Sequence, residues 1–219
     1  MKFILKRERF ITLILIFFYS IGAIGFMIPS LSSIFFQLTP LALLTTFLLL
    51  LLFHENRYHY KTILMFILIY LIGFLIEVVG VKTGIIFGSY QYGSGLGLKI
   101  WETPLIIGIN WLLLTYTTHS IVNSWKIVPI VRILAGSSMM LIYDLILEQA
   151  APYMNMWSFS NFDVPFKNYM VWFLLSFLFH TLLTLCKIDT KNKIASKIFI
   201  IQLLFFVILT IYFKISNSC

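Results

Sequence analysis

The chain has 219 residues, of which 60% are hydrophobic and only 11% charged, and its mean hydropathy is +0.97. A soluble domain of this size needs a polar surface that this composition does not supply, so the apolar side chains are expected to face lipid. The formal net charge of +8 does not indicate nucleic-acid binding, because the basic residues lie between the apolar runs and act as topology signals.

The apolar runs, taken in chain order, predict an all-α, polytopic transmembrane helical bundle of about seven spans. A span needs about 20 largely apolar residues to cross a hydrocarbon core of roughly 30 Å. The whole chain, residues 1–219, is interpreted as a single integral membrane domain. The spans are expected near residues 10–28, 33–53, 62–80, 104–122, 127–149, 169–186 and 196–214.

Lysine and arginine are distributed unequally between the two sets of connecting segments. The N-terminus and segments 54–61, 123–132 and 187–197 together carry twelve. The opposite side carries four, namely Lys82, Lys99, Lys167 and Lys214. This bias predicts a cytoplasmic N-terminus and an outward C-terminus, with the chain in a bacterial cytoplasmic (inner) membrane. Cys186 and Cys219 are then on opposite sides and are not expected to pair.

The two longest connections, residues 81–103 and 150–168, are rich in glycine and aromatic residues and are predicted to cap the outer mouth of the bundle. Each aromatic residue alone fits an interfacial belt, whereas together they can line a pocket that stabilises a positive charge. The set comprises Tyr90, Tyr92, Trp101, Tyr153, Trp157, Phe159 and Phe162, with Trp111 in the fourth span.

Four of the eight acidic residues are predicted to lie near the outer ends of the spans. Glu77 lies near the end of span three, and Glu102 lies at the start of span four. Asp144 and Glu148 share one face of span five, because they are four residues apart. Acidic groups at this depth are costly and persist where they face a polar cavity or a partner. A carboxylic acid kept out of water can stay protonated and serve as a proton donor.

A purely structural role for these acids remains the alternative, in which they cap loop amides or pair with Lys82 or Lys99. Asn110 shares a helical stripe with Thr103 and Thr117, which predicts a polar line facing the bundle. For the two threonines, hydrogen bonds between helices are the favoured interpretation.

Metal and diphosphate chemistry are disfavoured by what the sequence lacks. Its four histidines are too few for the clustered motifs of membrane di-iron oxygenases, and zinc-protease spacing is absent. The paired aspartate-rich motifs of membrane prenyltransferases are absent as well. A short Gly-x-Gly follows no strand and has no phosphate-binding lysine, so it does not indicate a nucleotide site. No metal or other cofactor is expected, which leaves acid–base chemistry.

Two groups of motifs combine acidic, glycine and aromatic residues. The first comprises Glu77-Val-Val-Gly-Val-Lys-Thr-Gly84, Phe87-Gly-Ser-Tyr90-Gln-Tyr92 and Asn110-Trp111. The second comprises Asp144-Leu-Ile-Leu-Glu148, Trp157-Ser-Phe159, and Asn168-Tyr169 followed by Trp172. Over about residues 65–180, these motifs resemble the membrane carotenoid biosynthesis family that includes carotenoid 1,2-hydratases and bisanhydrobacterioruberin hydratase. Gln149 departs from that family, which usually has proline there.

The resemblance implies a carotenoid biosynthesis enzyme that hydrates the terminal 1,2 double bond of an acyclic end group to a tertiary alcohol, without a cofactor. Such a reaction needs an acid, stabilisation of a tertiary carbocation and a held water molecule. Asp144 is the expected proton donor, with Glu148 and Glu77 positioning the water or tuning that acid. Asn110 is expected to orient the reactants. The residues expected to line the cation pocket are Tyr90, Tyr92, Trp111 and Trp157.

Two other functions stay open. A proton-coupled small-molecule transporter also uses carboxylates within the membrane, although none is placed centrally here. A non-catalytic carotenoid-binding membrane subunit is the second alternative. The partners expected are a lipophilic carotenoid, membrane lipid and other carotenoid biosynthesis enzymes, and no nucleic acid.

Overall fold

The computed structural model describes residues 2–160 and 163–216, with side chains from residue 7 onward. Within that part of the chain, seven α-helices follow the predicted order and confirm the all-α bundle. Their bounds are α1 Lys2–Met27, α2 Pro29–Leu52, α3 Tyr60–Thr83, α4 Ile106–Asn123, α5 Pro129–Ala150, α6 Phe166–Leu185 and α7 Ala195–Ser216. Phe162 and Cys219 lie outside the described residues.

Six of these helices are long and apolar enough to cross a membrane, and α4 is the exception. α4 is interrupted by polar side chains such as Asn110 and His119, yet it is largely buried and packs against α2, α3, α5, α6 and α7. A helix surrounded by other helices does not need an apolar surface for lipid. The chain is therefore an integral membrane protein, and the helix that is not apolar enough to face lipid along its length is the one that contacts most of the others.

Asn110 and Thr117 of the predicted polar line lie on α4, whereas Thr103 precedes the helix, and neither threonine bonds to another helix in the part of the chain that the structure describes. Thr117 donates to the backbone carbonyls of Leu113 and Leu114 in its own helix. Thr103 donates to the nearby backbone carbonyl of Trp101. The prediction was wrong for these two residues, because a threonine hydroxyl readily reaches a backbone carbonyl in its own segment.

A β-hairpin precedes α4 where the sequence predicted the first turn of span four. The hairpin is formed by β2 (Lys99–Ile100) and β3 (Thr103–Pro104). The first strand of the chain, β1 (Tyr90–Tyr92), precedes the hairpin and is not part of it. The turn residues of the hairpin, Trp101 and Glu102, both have positive φ angles of 51° and 65°, as in the tight turns that match strand twist. Pro104 therefore lies in β3, and the helix starts two residues later.

The two long connections join across one end of the bundle, as predicted for a cap. β1 pairs antiparallel with β4 (Trp157–Phe159), so that Tyr90 lies opposite Phe159 and Tyr92 lies opposite Trp157. Because side chains alternate along a strand, these four rings share one face. All four are buried, whereas Gln91 between the two tyrosines is exposed. The β1–β4 ribbon therefore turns its aromatic face towards the bundle.

Candidate active site

Three acidic side chains are buried beneath this ribbon. Glu77 comes from α3, and Asp144 and Glu148 come from α5, with exposed fractions of 4%, 0% and 4%. Glu102, the fourth acid predicted for this region, is exposed on the β2–β3 turn and does not join them. The helical spacing of Asp144 and Glu148 places both on the buried face of α5.

Glu77 accepts three hydrogen bonds, which occupy both of its carboxylate oxygens. The hydroxyls of Tyr90 and Tyr92 donate to Oε2 at 2.5 and 2.8 Å. The indole N–H of Trp111 donates to Oε1 at 3.0 Å. An indole nitrogen can only donate, so this arrangement uses Glu77 as an acceptor.

Two glycines of α3 allow these partners to approach. A methyl group added at Gly73 would lie 2.8 Å from Cβ of Trp111, and one at Gly80 would lie 2.6 Å from the ring of Phe87. Both distances are shorter than a carbon–carbon contact allows. The bare backbone of α3 therefore lets α4 and the first outer connection close around Glu77.

Asp144 and Glu148 share a single amide donor. Nδ2 of Asn168, in the first turn of α6, donates to Asp144 Oδ2 at 3.2 Å and to Glu148 Oε1 at 3.1 Å. Trp157 of the ribbon donates its indole N–H to Glu148 Oε2 at 2.9 Å. The remaining oxygen, Asp144 Oδ1, is buried and has no hydrogen-bond partner among the described residues.

A small cavity lies between Glu77 and Glu148. Its volume is about 10 Å³, close to what one water molecule requires. Asn168 also borders it, whereas Asp144 does not. The rest of its wall is aromatic apart from Ile107, and the rings are those of Phe87, Tyr90, Tyr92, Trp157, Phe159 and Trp172. The site therefore combines two carboxyl groups, one amide and ring faces around a space for a single water.

The other two predicted binding residues lie just outside this cavity. Trp111 is fully buried, bonds to Glu77 and stacks on Trp172 with ring centres 4.0 Å apart. Asn110 borders a neighbouring cavity that also has Trp157 in its wall. Asn110 is buried, with 5% of its surface exposed.

Two site residues were not predicted. Asn168 and Trp172 come from α6, and both lie on its buried face. Both residues belong to a motif that resembles the family, which was the available signal. The role of Asn168 as the bridge between two acids depends on how α6 packs against α5, and the sequence does not specify that packing.

The lysines of the capped end do not neutralise the buried acids. Lys99 donates to the backbone carbonyl of Tyr92 at 2.6 Å, and Lys82 lies 5.7 Å from the ring centre of Trp101. Ion pairs are found at other positions, such as Lys191 with Glu55 and Lys197 with Glu8. The alternative in which lysines pair with the acids is therefore wrong.

The two tyrosines of the ribbon stay protonated. Burial, reinforced by the charge of Glu77, raises the pKa of Tyr90 and of Tyr92 well above the ordinary value. Both phenols therefore remain donors to Glu77 at any physiological pH.

In the described part of the chain, no group of three or more histidine, cysteine or acidic residues is arranged to hold a metal ion.

Comparison with known proteins places the chain among proteins of carotenoid biosynthesis. Residues 33–218 match the carotenoid biosynthesis protein family. One relative, a bisanhydrobacterioruberin hydratase from Haloarcula japonica, is 28% identical over 112 residues, which cover 45% of this chain and 36% of that protein. The chain thus spans only about a third of the relative's length. No solved structure matches. With a family match over most of its length, the chain belongs to the carotenoid biosynthesis protein family.

Proposed function

We propose that the chain hydrates the terminal 1,2 double bond of an acyclic carotenoid end group to a tertiary alcohol, with Asp144 as the proton donor. The observation that carries the proposal is the unpartnered Asp144 Oδ1. Of the six oxygens on the three buried acids, the other five accept hydrogen bonds. An alkene is a weak proton acceptor, so an acid that protonates it needs an O–H group without a stronger acceptor nearby.

The reaction consumes one water molecule and needs no redox partner. The O–H bond of Asp144 breaks as a C–H bond forms at the less substituted alkene carbon, which leaves a tertiary carbocation. A water held between Glu77 and Glu148 then forms the C–O bond and gives up a proton. Glu148 accepts that proton, and its return to Asp144 completes the cycle. Asn168 donates to both carboxyl groups and holds Asp144 and Glu148 in a fixed position relative to each other.

Aromatic faces stabilise the carbocation in this scheme. Tyr90, Tyr92 and Trp157 border the cavity, and ring faces attract a positive charge within about 6 Å. Trp111 acts indirectly, because its indole holds Glu77 in place. Asn110 orients the end group from the adjoining cavity. These roles require no metal and no organic cofactor.

Substrate binding requires the cavity to enlarge. Its volume of about 10 Å³ accepts water but not a branched hydrocarbon end group. Asp144 lies behind the cavity wall, so side chains must shift before an alkene reaches Oδ1. In the orientation that the basic residues favour, the site lies towards the outer leaflet of a bacterial cytoplasmic membrane. A polyene about as long as the bilayer is thick brings its end group to this depth.

Pigment analysis tests the proposal. The chain is expressed in a bacterial host that accumulates lycopene, and the pigments are compared with those of a host carrying an empty vector. We expect new pigments heavier by one or two waters, with the hydroxyl on the terminal tertiary carbon. Unchanged lycopene in cells whose membranes contain the protein would contradict the proposal. Unaltered lycopene co-purifying with the protein would favour the carotenoid-binding subunit.

A further inference from the structure

A larger apolar cavity lies between α1, α2 and α7, on the side of the bundle away from α6. Its volume is about 200 Å³, and none of the described residues that border it is charged. Phe26, Phe205 and Phe206 form part of its wall. We name it the apolar groove. The exposed fractions of Phe18, Ile21 and Leu38 at its rim are 40%, 43% and 43%, so on a membrane-spanning helix pair the groove faces lipid.

Shared walls connect the apolar groove to the candidate active site. The groove and the cavity beside Asn110 share Leu43, Met156 and Phe206. The cavity beside Asn110 and the acid cavity share Ile107 and Trp157. Three spaces therefore follow one another from the lipid-facing side to the buried acids. Met156 lies in the wall between the first two spaces, and Trp157, the next residue, lies in the wall between the second and the third.

We infer that the apolar groove receives the polyene arm of the substrate directly from the bilayer, with Met156 and Trp157 gating its passage to the acids. This inference rests on the proposed function. The groove suits a long uncharged hydrocarbon, because its wall is mainly aliphatic and aromatic, with Tyr19, Thr39 and Gln202 as its polar members, and its rim faces lipid. The walls that it shares with the spaces leading to the acids distinguish the groove from an ordinary lipid-contacting crevice. The occupant is therefore an acyclic polyene and not a bulk phospholipid.

Trp157 links the gate to the chemistry. Its indole N–H holds Glu148, and its ring separates the acid cavity from the cavity beside Asn110. An end group that displaces this ring also releases one of the two partners of Glu148. Passage of the substrate through the gate thus frees a carboxylate oxygen next to the held water.

Variants that fill the groove test the inference. Ala42→Phe and Gly22→Leu enlarge side chains on opposite walls, and at Gly22 the added Cβ lies 3.4 Å from the Phe205 ring, an ordinary contact. Leu41→Phe is the matched control, because Leu41 is 58% exposed on the same helix and does not border the groove. Each protein is purified in detergent from a lycopene-producing host, and bound lycopene and its hydrated products are quantified per protein.

We expect both filling variants to carry at least about tenfold less pigment than the wild type, with Leu41→Phe unchanged. Size-exclusion profiles confirm that each variant is folded. Equal pigment in all four proteins, or none on the wild type, would overturn the inference. Met156→Phe is expected to retain pigment but to lose hydration, and full hydration by this variant would remove Met156 from the gate.

The two hypotheses fail in distinguishable ways. Hydration by the wild type that persists in Ala42→Phe and Gly22→Leu would leave the proposed function intact and contradict the groove. Groove-dependent pigment binding without any hydrated product would contradict the proposed function and leave the groove as a polyene site.

Discussion

Glu77 and Asp144 are both buried acids at the same end of the bundle, yet their surroundings differ. Glu77 is held by three donors from the ribbon and α4, whereas Asp144 receives one amide N–H and keeps one oxygen unpartnered. A fully bonded carboxylate is fixed in position and suited to accepting. An acid that has one oxygen without a hydrogen-bond partner is suited to giving a proton to a weak acceptor. Similar burial therefore supports different roles, and the partners distinguish them.

The largest effect is expected from removing the acidic proton of Asp144. Asp144→Asn keeps the shape of the side chain but cannot donate an acidic proton, so hydration should fall by a factor of about 100 or more. Pigment mass spectrometry with matched protein levels measures it. Glu102→Gln, at the exposed acid of the β2–β3 turn, is the control and should keep wild-type activity. Full activity in Asp144→Asn would remove Asp144 from the proposed role.

The next effect concerns the fully bonded acid. Glu77→Gln turns one accepting oxygen into a donor that faces a donor, so about 1–3 kcal/mol of stability should be lost. Hydration should fall less than in Asp144→Asn. Thermal unfolding in detergent and product yield together measure the change. An unaltered unfolding temperature would show that the three donors do not hold Glu77 as described.

A smaller effect is expected at the shared amide. Asn168→Leu deprives Asp144 Oδ2 and Glu148 Oε1 of their common donor, and we expect about tenfold lower hydration, equivalent to the loss of one hydrogen bond to an acidic group. Product yield per protein measures it. If Asn168→Leu matched the wild type, the pairing of Asp144 with Glu148 would have no functional consequence.

The smallest effect concerns the pH dependence of stability, which the ribbon tyrosines should influence only in alkaline solution. Burial raises the pKa of Tyr90 and Tyr92 above the unfolded value of about 10. The stability that these phenols contribute is therefore fully present below about pH 10 and is lost only as the pH rises further. Ultraviolet absorbance should show no tyrosinate from these two residues up to that pH. Over this range, the titration curves of Tyr90→Phe and Tyr92→Phe should therefore be identical to that of the wild type. An earlier difference between those curves and the wild type would contradict their buried hydrogen bonds.

The helices were predictable because lipid demands long apolar runs, and α3 and α7 follow that rule closely. α4 was predictable as a helix, but its central position was not, because centrality depends on which helices surround it. The polar residues of α4 did not by themselves indicate that other helices surround it. The hairpin containing Pro104 was missed because proline at a helix start and proline in a short strand leave similar sequence patterns.

The candidate site was predictable in part, for a related reason. The spacing of Asp144 and Glu148 on one helix placed them together, since helix geometry alone fixes that distance. The junction of Glu77 with Tyr90 and Tyr92 needed the β1–β4 pairing, and the bridge through Asn168 needed the contact between α5 and α6. Both are long-range contacts, which a local pattern does not encode.

The most direct test of the account supplies water labelled with heavy oxygen to cells that make lycopene and express the chain. The account predicts hydroxylated pigment that carries the heavy oxygen on its terminal tertiary carbon, and no such pigment with Asp144→Asn at equal protein level. Hydroxyl oxygen derived from molecular oxygen, or labelled product of undiminished yield from Asp144→Asn, would contradict it.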